Sequence, residues 1–111
     1  MKPLLPKDTS SFIQRFGNFL DGELRSFEIL SPSSMKLTLA GQDGARGFDW
    51  ISIELAFHGV CDASLEGSDS LHLIDMSEGI SLSYKDNFVF KINASTFYIV
   101  CETIKYQEGT F

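Results

Sequence analysis

The chain opens with helical spacing of its apolar residues. Within residues 9–22, five apolar positions lie on one helical face: Phe12, Ile13, Phe16, Phe19 and Leu20. Thr9 or Ser10 can cap the start of this helix, and Gly22 fits the left-handed position after its end. The pattern predicts one short amphipathic helix before the first strand.

After residue 22 the period becomes twofold, which is typical of half-buried strands. Residues 23–30 and 35–40 flank a turn around Pro32, and residues 80–84 and 88–92 flank a turn at 85–87, so each pair predicts a hairpin. The clearest strand is 48–57, with four residues facing one way: Ile51, Ile53, Leu55 and Phe57. Residues 60–65 predict a shorter strand, and residues 71–76 fit a strand or a helical turn.

The run 96–106 is long enough to be a central strand. Alternation puts Phe97, Ile99 and Cys101 on one side. It puts four residues on the other: Tyr98, Val100, Ile104 and Tyr106. Strands that follow one another without helices between them favour antiparallel pairing. The sequence therefore predicts a mainly-β fold (α+β by count), with an N-terminal helix packed on an antiparallel sandwich or partly open barrel of about seven or eight strands.

Length and composition are consistent with a single domain over residues 1–111. The chain is 43% hydrophobic and has ten phenylalanines, enough for one core. The start has no secretory apolar segment, and no stretch is as long as a membrane span. We therefore expect a cytoplasmic protein with no membrane partner, in which Cys61 and Cys101 remain thiols.

His58 and Cys61 are the residues most suggestive of chemistry. If the strand continued straight through Gly59 they would point to opposite faces, whereas a bulge there could bring them together. The chain has no evident third ligand for zinc and no recognisable group to orient a histidine base. The segment is therefore interpreted as a strand end with a glycine bulge or turn.

Other signatures of catalysis or cofactor binding are missing from the sequence. Residues 44–47 lack the lysine and hydroxyl of a phosphate-binding loop, and no G-x-S-x-G or calcium-hand motif occurs. We predict no cofactor, no metal and no catalytic residue, and an enzyme is the less favoured class.

Charge gives more information than any motif. The net charge is −6, and no Lys or Arg occurs between Gly47 and Tyr84. Such a stretch disfavours nucleic acid and favours a basic protein partner. The residues predicted to bind this partner are Asp49, Trp50, Asp62, Glu66, Asp69, Asp75 and Glu78. The alternative is that these acidic residues only keep a phenylalanine-rich chain soluble.

Three segments, "FLDGELRSFEIL", "WISIELAFHGV" and "FYIVCETIKYQEG", resemble a pattern of small strand-rich bacterial proteins, many of them uncharacterised and some assigned as immunity proteins of toxin systems. The resemblance implies a cytoplasmic non-enzyme that binds and neutralises a toxin. It carries over no catalytic residue.

Two other functions stay open. One is a small-molecule binding protein, or a small enzyme, with a phenylalanine-lined apolar cavity. The other is a homodimer formed through an exposed edge strand, for which the run 96–106 is the candidate if it lies outermost. If that run is central, it is already paired on both sides.

Overall fold

A computed structural model describes residues 1–65, 76–92 and 97–111. The strands are β1 (Lys2–Pro3), β2 (Glu23–Ser31), β3 (Ser34–Asp43), β4 (Asp49–Leu65), β5 (Ile80–Lys85), β6 (Asn87–Ile92) and β7 (Phe97–Thr110). The helix α1 spans Thr9–Arg15, and short 3₁₀ turns cover Pro6–Asp8, Gly17–Phe19 and Gly44–Arg46. The predicted mainly-β class and the N-terminal helix are confirmed.

These strands form one antiparallel sheet rather than two separate sheets. Its order is β2-β3-β4-β7-β6-β5, and β1 pairs with the far end of β7. The sheet is not closed, since β2 and β5 lie at opposite ends of this order. Both predicted hairpins are present as β2–β3 and β5–β6. The predicted strand 60–65 is the continuation of β4, and the ambiguous segment 71–75 lies outside the described residues.

The strand β7 lies in the centre of the sheet. It pairs with β4 along one side, and with β6 and then β1 along the other. The run 96–106 is therefore not an outermost strand. Among the described strands, β2 and β5 lie at the two ends of the sheet order. The pairing of β2 with β3 is interrupted by two register shifts. Bulges of this kind are typical of edges that resist pairing with another chain.

The paired strands β4 and β7 form a ribbon that bends sharply near its middle. Phe27 lies in the cross-strand row of Leu55, whereas Phe97 pairs with Leu65, ten positions further along β4. Ten extended residues span about 33 Å, yet the ring centroids of Phe27 and Phe97 are 5.6 Å apart. The ribbon therefore folds over and brings its two ends face to face.

The bend coincides with a bulge just after Gly59. This glycine has φ +66°, and the register of β4 on β7 shifts between Val60 and Asp62, so that Cys61 is the extra residue. A positive φ is readily adopted by glycine and is typical of such bulges. The prediction of a bulge or turn at this point is thus met by a bulge, but the predicted strand end is wrong, because β4 continues to Leu65.

The bend also changes which face of β7 points to the core, and here the sequence prediction was partly wrong. Phe97, Ile99 and Cys101 are buried as predicted, but Ile104 and Tyr106 also pack against the core. Strict alternation placed these last two residues on the opposite face. Because the ribbon bends between Cys101 and Ile104, the side that faces the core changes from odd to even positions.

The helix ends earlier than its apolar spacing predicts. Phe16 is its C-terminal cap, and Gly17, Asn18 and Phe19 all have φ between +54° and +58°. Phe19 is 1% exposed and its ring lies against Gly41, where a Cβ atom would stand 2.7 Å from that ring. Phe19 thus reaches the core through a tight turn, because β3 offers it a position without a side chain.

Two smaller parts of the helix prediction were also wrong. Leu20, which was assigned to the buried face, is 57% exposed because the helix has already ended. Neither Thr9 nor Ser10 caps the start: Asp8 is the N-cap residue, without a side-chain hydrogen bond, and the Thr9 hydroxyl donates to the Pro6 carbonyl. Gly17 rather than Gly22 takes the left-handed position. Within the described residues, no helix is long and apolar enough to cross a membrane.

Candidate functional site

A group of four charged side chains joins the helix, the loop after β3 and the end of β7. The group, called here the ionic cluster, consists of Arg15, Asp43, Arg46 and Glu108. Arg15 donates from Nε to Asp43 Oδ1 at 2.8 Å and from Nη2 to Oδ2 at 2.7 Å, a bidentate pair. The same Nη2 lies 2.5 Å from Glu108 Oε1, and Arg46 Nη2 lies 2.8 Å from Oε2.

Asp43 is fully buried, which makes its environment the most unusual in the cluster. The hydrogen bonds from Arg15 hold the pKa of Asp43 below its usual value. The Ala45 N–H, 2.9 Å from Oδ1, and the charge of Arg46 act in the same direction, while burial opposes them. The pKa of Arg15 is raised in turn, chiefly by its hydrogen bond with Asp43. Asp43 therefore remains a carboxylate in the folded protein.

The ionic cluster fixes the loop that leads into β4. Within that loop, the Phe48 N–H donates to the Asp43 carbonyl at 2.9 Å, and Phe48 has φ +67°. A bulky residue rarely adopts this conformation, because it costs about 1 to 2 kcal/mol. The Phe48 side chain is 67% exposed. The backbone hydrogen bond to Asp43 thus fixes a loop conformation in which the Phe48 ring is exposed to solvent.

Exposed apolar side chains surround this loop and form what we call the Trp50 surface. It consists of Leu20 (57% exposed), Phe48, Trp50 (39%) and Phe111 (56%). The rings of Trp50 and Phe111 lie 5.4 Å apart, and the Arg25 guanidinium stacks over Phe111 at 4.2 Å. Exposed aromatic patches of this kind are common at protein–protein interfaces.

The indole of Trp50 stands between two open grooves. One has a volume of about 360 Å³ and is lined by Arg15, Leu20, Phe48 and Trp50 among others. The second, of about 480 Å³, is lined by Arg46, Asp49, Trp50, Glu108, Phe111 and adjoining strand residues. Both grooves border the ionic cluster, so the cluster sets the shape of the surface as well as that of the loop.

The residues predicted to bind a partner are distributed over several parts of the fold. Asp49 and Trp50 are exposed at the start of β4. Asp62 is exposed beyond the Gly59 bulge, where it accepts a hydrogen bond from the Tyr98 hydroxyl at 3.3 Å and raises the pKa of that phenol. Glu78 is exposed in the turn before β5. The remaining three lie outside the described residues: Glu66, Asp69 and Asp75.

The structure thus brings Asp49 and Trp50 together at one groove and leaves Asp62 on the other side of the bulge. The acidic stretch is also partly neutralised, since Glu54 lies 3.7 Å from Lys36 on β3. A run of acidic residues in sequence alternates between sheet faces when it forms a strand. The strand β4 therefore does not present one continuous acidic patch.

His58 and Cys61 do not form a recognisable reactive pair. Cys61 is exposed, and its Sγ donates to the Val100 carbonyl at 3.6 Å; the hydrogen bonds of the described residues include none between Cys61 and His58. Burial raises the pKa of the Cys101 thiol to about 12, with a smaller contribution from Cys61. In the described ranges, no group of three or more His, Cys, Asp or Glu residues is arranged to hold a metal ion.

Seven of the ten phenylalanines are buried: Phe12, Phe16, Phe19, Phe57, Phe88, Phe90 and Phe97. Their rings contact other aromatic rings, as Phe57 does with Phe90 at 5.3 Å and Phe16 with Phe19 at 4.9 Å. Rings in direct contact leave no room between them for a ligand. Of these seven rings, only that of Phe16 borders either groove beside Trp50.

Sequence reasoning identified Asp49 and Trp50 but missed the rest of the Trp50 surface and the ionic cluster. The Asp-Gly pair at residues 43–44 is a turn signal and could have identified Asp43 as a loop anchor. Its partners could not be found in this way, because Arg15 is 28 positions from Asp43 and Glu108 is 65. Only the folded chain brings these charges into contact.

No protein-family model matches the chain, and no curated protein or solved structure was found to be similar to it.

Proposed function

We propose that this protein is a non-catalytic protein-interaction module that binds its partner at the Trp50 surface. The observation that carries the proposal is the exposure of Phe48, Trp50 and Phe111 around a loop anchored by a buried carboxylate. A chain gains nothing in stability from holding Phe48 in a strained backbone conformation with its ring in solvent. Rigid aromatic side chains at an interface, in contrast, typically supply most of the binding energy.

The partner we propose is a basic protein, and the location is the cytoplasm. The net charge of −6 favours association with an oppositely charged surface. The narrower form of the proposal, supported only by the sequence resemblance, is an immunity or inhibitor protein that neutralises a toxin. The cavity-binding alternative remains a second proposal, with less support because the buried rings fill the core.

Site-specific photo-crosslinking tests this proposal. A photoreactive phenylalanine analogue would replace Phe48 in the intact chain, and crosslinking would be performed in cells of the source organism. The expected result is one discrete adduct, identified by mass spectrometry. Its purified partner should then bind the unmodified protein, with the Trp50→Ala variant losing about 2 kcal/mol or more of binding free energy.

A matched control places the same photoreactive group at Ile29. This side chain is 59% exposed, close to the exposure of Phe48, but belongs to β2. Adducts of equal yield at both positions, or an affinity unchanged by Trp50→Ala in a variant with wild-type circular dichroism, would exclude the Trp50 surface as the binding site.

A further inference from the structure

We infer that the groove between Asp49, Trp50 and Phe111 receives an arginine side chain of the basic partner. This inference rests on the proposed function and adds the chemical group that the surface recognises. Its basis is the set of charges and rings that line the 480 Å³ groove, considered one at a time.

The positive charges of the ionic cluster at the groove are already paired. Arg46 lines it, but its Nε lies 3.4 Å from Asp43 and its Nη2 lies 2.8 Å from Glu108. Arg15 is held by the same two carboxylates. The two arginines and two carboxylates of the ionic cluster therefore balance one another. The groove has no unpaired arginine from this cluster with which to bind an anionic ligand.

Asp49 is an exposed carboxylate at the same groove. It is among the residues that line this groove, and among the described residues its side chain has no ion pair and no hydrogen bond. The ionic cluster is balanced, and Arg25 over Phe111 is paired with Glu23 at 3.2 Å, so Asp49 leaves the groove with a net negative charge. The ligand group that complements this charge is a cation.

The aromatic ring of Trp50 provides a surface on which a cation can bind. The face of an indole attracts a cation, and a planar guanidinium can stack on a ring while it donates to a carboxylate. The chain already uses this contact twice: Arg25 stacks over Phe111 at 4.2 Å and Arg15 over Phe16 at 4.8 Å. Trp50 lies beside Phe111 and remains 39% exposed, so its indole can accept a further guanidinium from outside.

Arginine is favoured over lysine for the same reason. The flat guanidinium offers several donors in one plane and is less strongly hydrated than an ammonium group. It can therefore stack on the exposed indole of Trp50 while its N–H groups remain available to a carboxylate at the same groove. An ammonium group would have to give up more of its hydration to make the same contacts.

The test uses the intact protein and a short probe, the capped pentapeptide Gly-Gly-Arg-Gly-Gly. The chain has a single tryptophan, so the indole N–H of Trp50 gives one assigned NMR cross-peak, and the Asp49→Asn variant identifies which of the two grooves beside Trp50 is occupied. At constant ionic strength, that cross-peak should shift saturably as the peptide is added. The Asp49→Asn variant should weaken binding by about fivefold or more, because a charge-assisted contact is lost.

Three controls separate recognition from general charge attraction. Asp62→Asn removes an equivalent exposed acid on the other side of the bulge and should leave binding unchanged. The citrulline peptide, neutral but of nearly the same shape, should produce no saturable shift, and the lysine peptide should bind more weakly than the arginine peptide. Equal binding of the citrulline or lysine peptide, or equal effects of Asp49→Asn and Asp62→Asn, would overturn the inference.

Failure of the guanidinium inference can be told apart from failure of the proposed function. If a crosslinked partner depends on Trp50 but the arginine peptide does not bind, the guanidinium inference fails and the interaction surface stands. If the peptide binds at Trp50 but partner adducts form equally at position 29, the proposed function fails and the guanidinium groove stands.

Discussion

Asp43 is the individual residue on which the local structure around the Trp50 surface depends most. Its carboxylate receives two hydrogen bonds from Arg15 and one from the backbone of Ala45, and its carbonyl accepts from Phe48. Removing one partner of a buried ion pair leaves the other charge uncompensated, which is much more costly than losing a surface salt bridge. Asp43 therefore contributes to stability and also holds the loop that presents Phe48.

The pH dependence of this contribution follows from the lowered pKa of Asp43. In the unfolded chain an aspartate titrates near 3.9, so the stabilisation is fully present above about pH 4 and is lost as pH falls through the lower pKa of the folded state. We expect Asp43→Asn to reduce the free energy of unfolding at pH 7 by about 3 kcal/mol. The difference from wild type should shrink below about pH 4. Urea unfolding at several pH values measures both effects.

Asp49→Asn is the control for this experiment, because Asp49 is exposed and outside the ionic cluster. It should change the free energy of unfolding by less than about 0.5 kcal/mol at pH 7. A difference between wild type and Asp43→Asn that stays constant from pH 7 to pH 3 would show that the Asp43 charge does not stabilise the fold.

At the scale of elements, the bend of the β4–β7 ribbon determines which residues face the core. Gly59 adopts φ +66° at this point, and a Cβ atom there would lie 2.9 Å from the side chain of Glu102. The strands before and after the bend have ordinary alternation. The bend reverses which face of β7 points inward, so Ile104 and Tyr106 join the same core as Phe97 and Ile99.

Replacing Gly59 should therefore destabilise the ribbon. We expect Gly59→Ala to reduce the free energy of unfolding by about 1 to 2 kcal/mol, because a left-handed conformation is unfavourable for alanine. Gly47→Ala is the matched control: Gly47 has φ +63°, but a Cβ atom there would meet nothing within 4 Å. Chemical denaturation measures the loss of unfolding free energy in both variants. Gly47→Ala reports the cost of the left-handed backbone conformation alone, and Gly59→Ala reports that cost plus the close contact of the new Cβ atom with Glu102. A Gly59→Ala variant less destabilised than Gly47→Ala would contradict this account of the bend.

At the scale of the whole molecule, the folded ribbon creates one core from residues at both ends of the chain. Phe27 of β2 and Phe97 of β7 belong to strands that are not neighbours in the sheet, yet their rings meet edge to face at 78°. This contact exists only when the two ends of the ribbon lie face to face. It therefore reports directly on the global fold.

A double-mutant cycle measures this contact. We expect Phe27→Leu and Phe97→Leu each to be destabilising and to be coupled by about 0.5 to 1.5 kcal/mol, the range of paired aromatic rings. The cycle of Phe27→Leu with Phe12→Leu is the control, since the ring contacts of Phe12 are to Phe16 and Tyr106. Additive effects of Phe27→Leu and Phe97→Leu would mean that the ribbon does not fold over as described.

Local order was the part of this fold that the sequence could predict. The two hairpins, the inward face of β4 from Ile51 to Phe57, an irregularity near Gly59 and the presence of an N-terminal helix follow from periodicity and turn chemistry. These features depend on neighbours a few positions away. At the candidate site, the same reasoning identified Asp49 and Trp50 as a charged and an aromatic residue in an acidic stretch.

Features that depend on contacts between residues far apart in the chain were decided by the tertiary structure. The early end of the helix reflects the packing of Phe19 on Gly41, and the reversed face of β7 reflects the bend. The balance of charges at the Trp50 groove required Arg15 and Glu108 to meet across the fold. The sequence determined most of the strand segments and the two hairpin turns, because those choices are local. The folded ribbon determined which side chains share a core or a surface, because that depends on residues far apart in the chain.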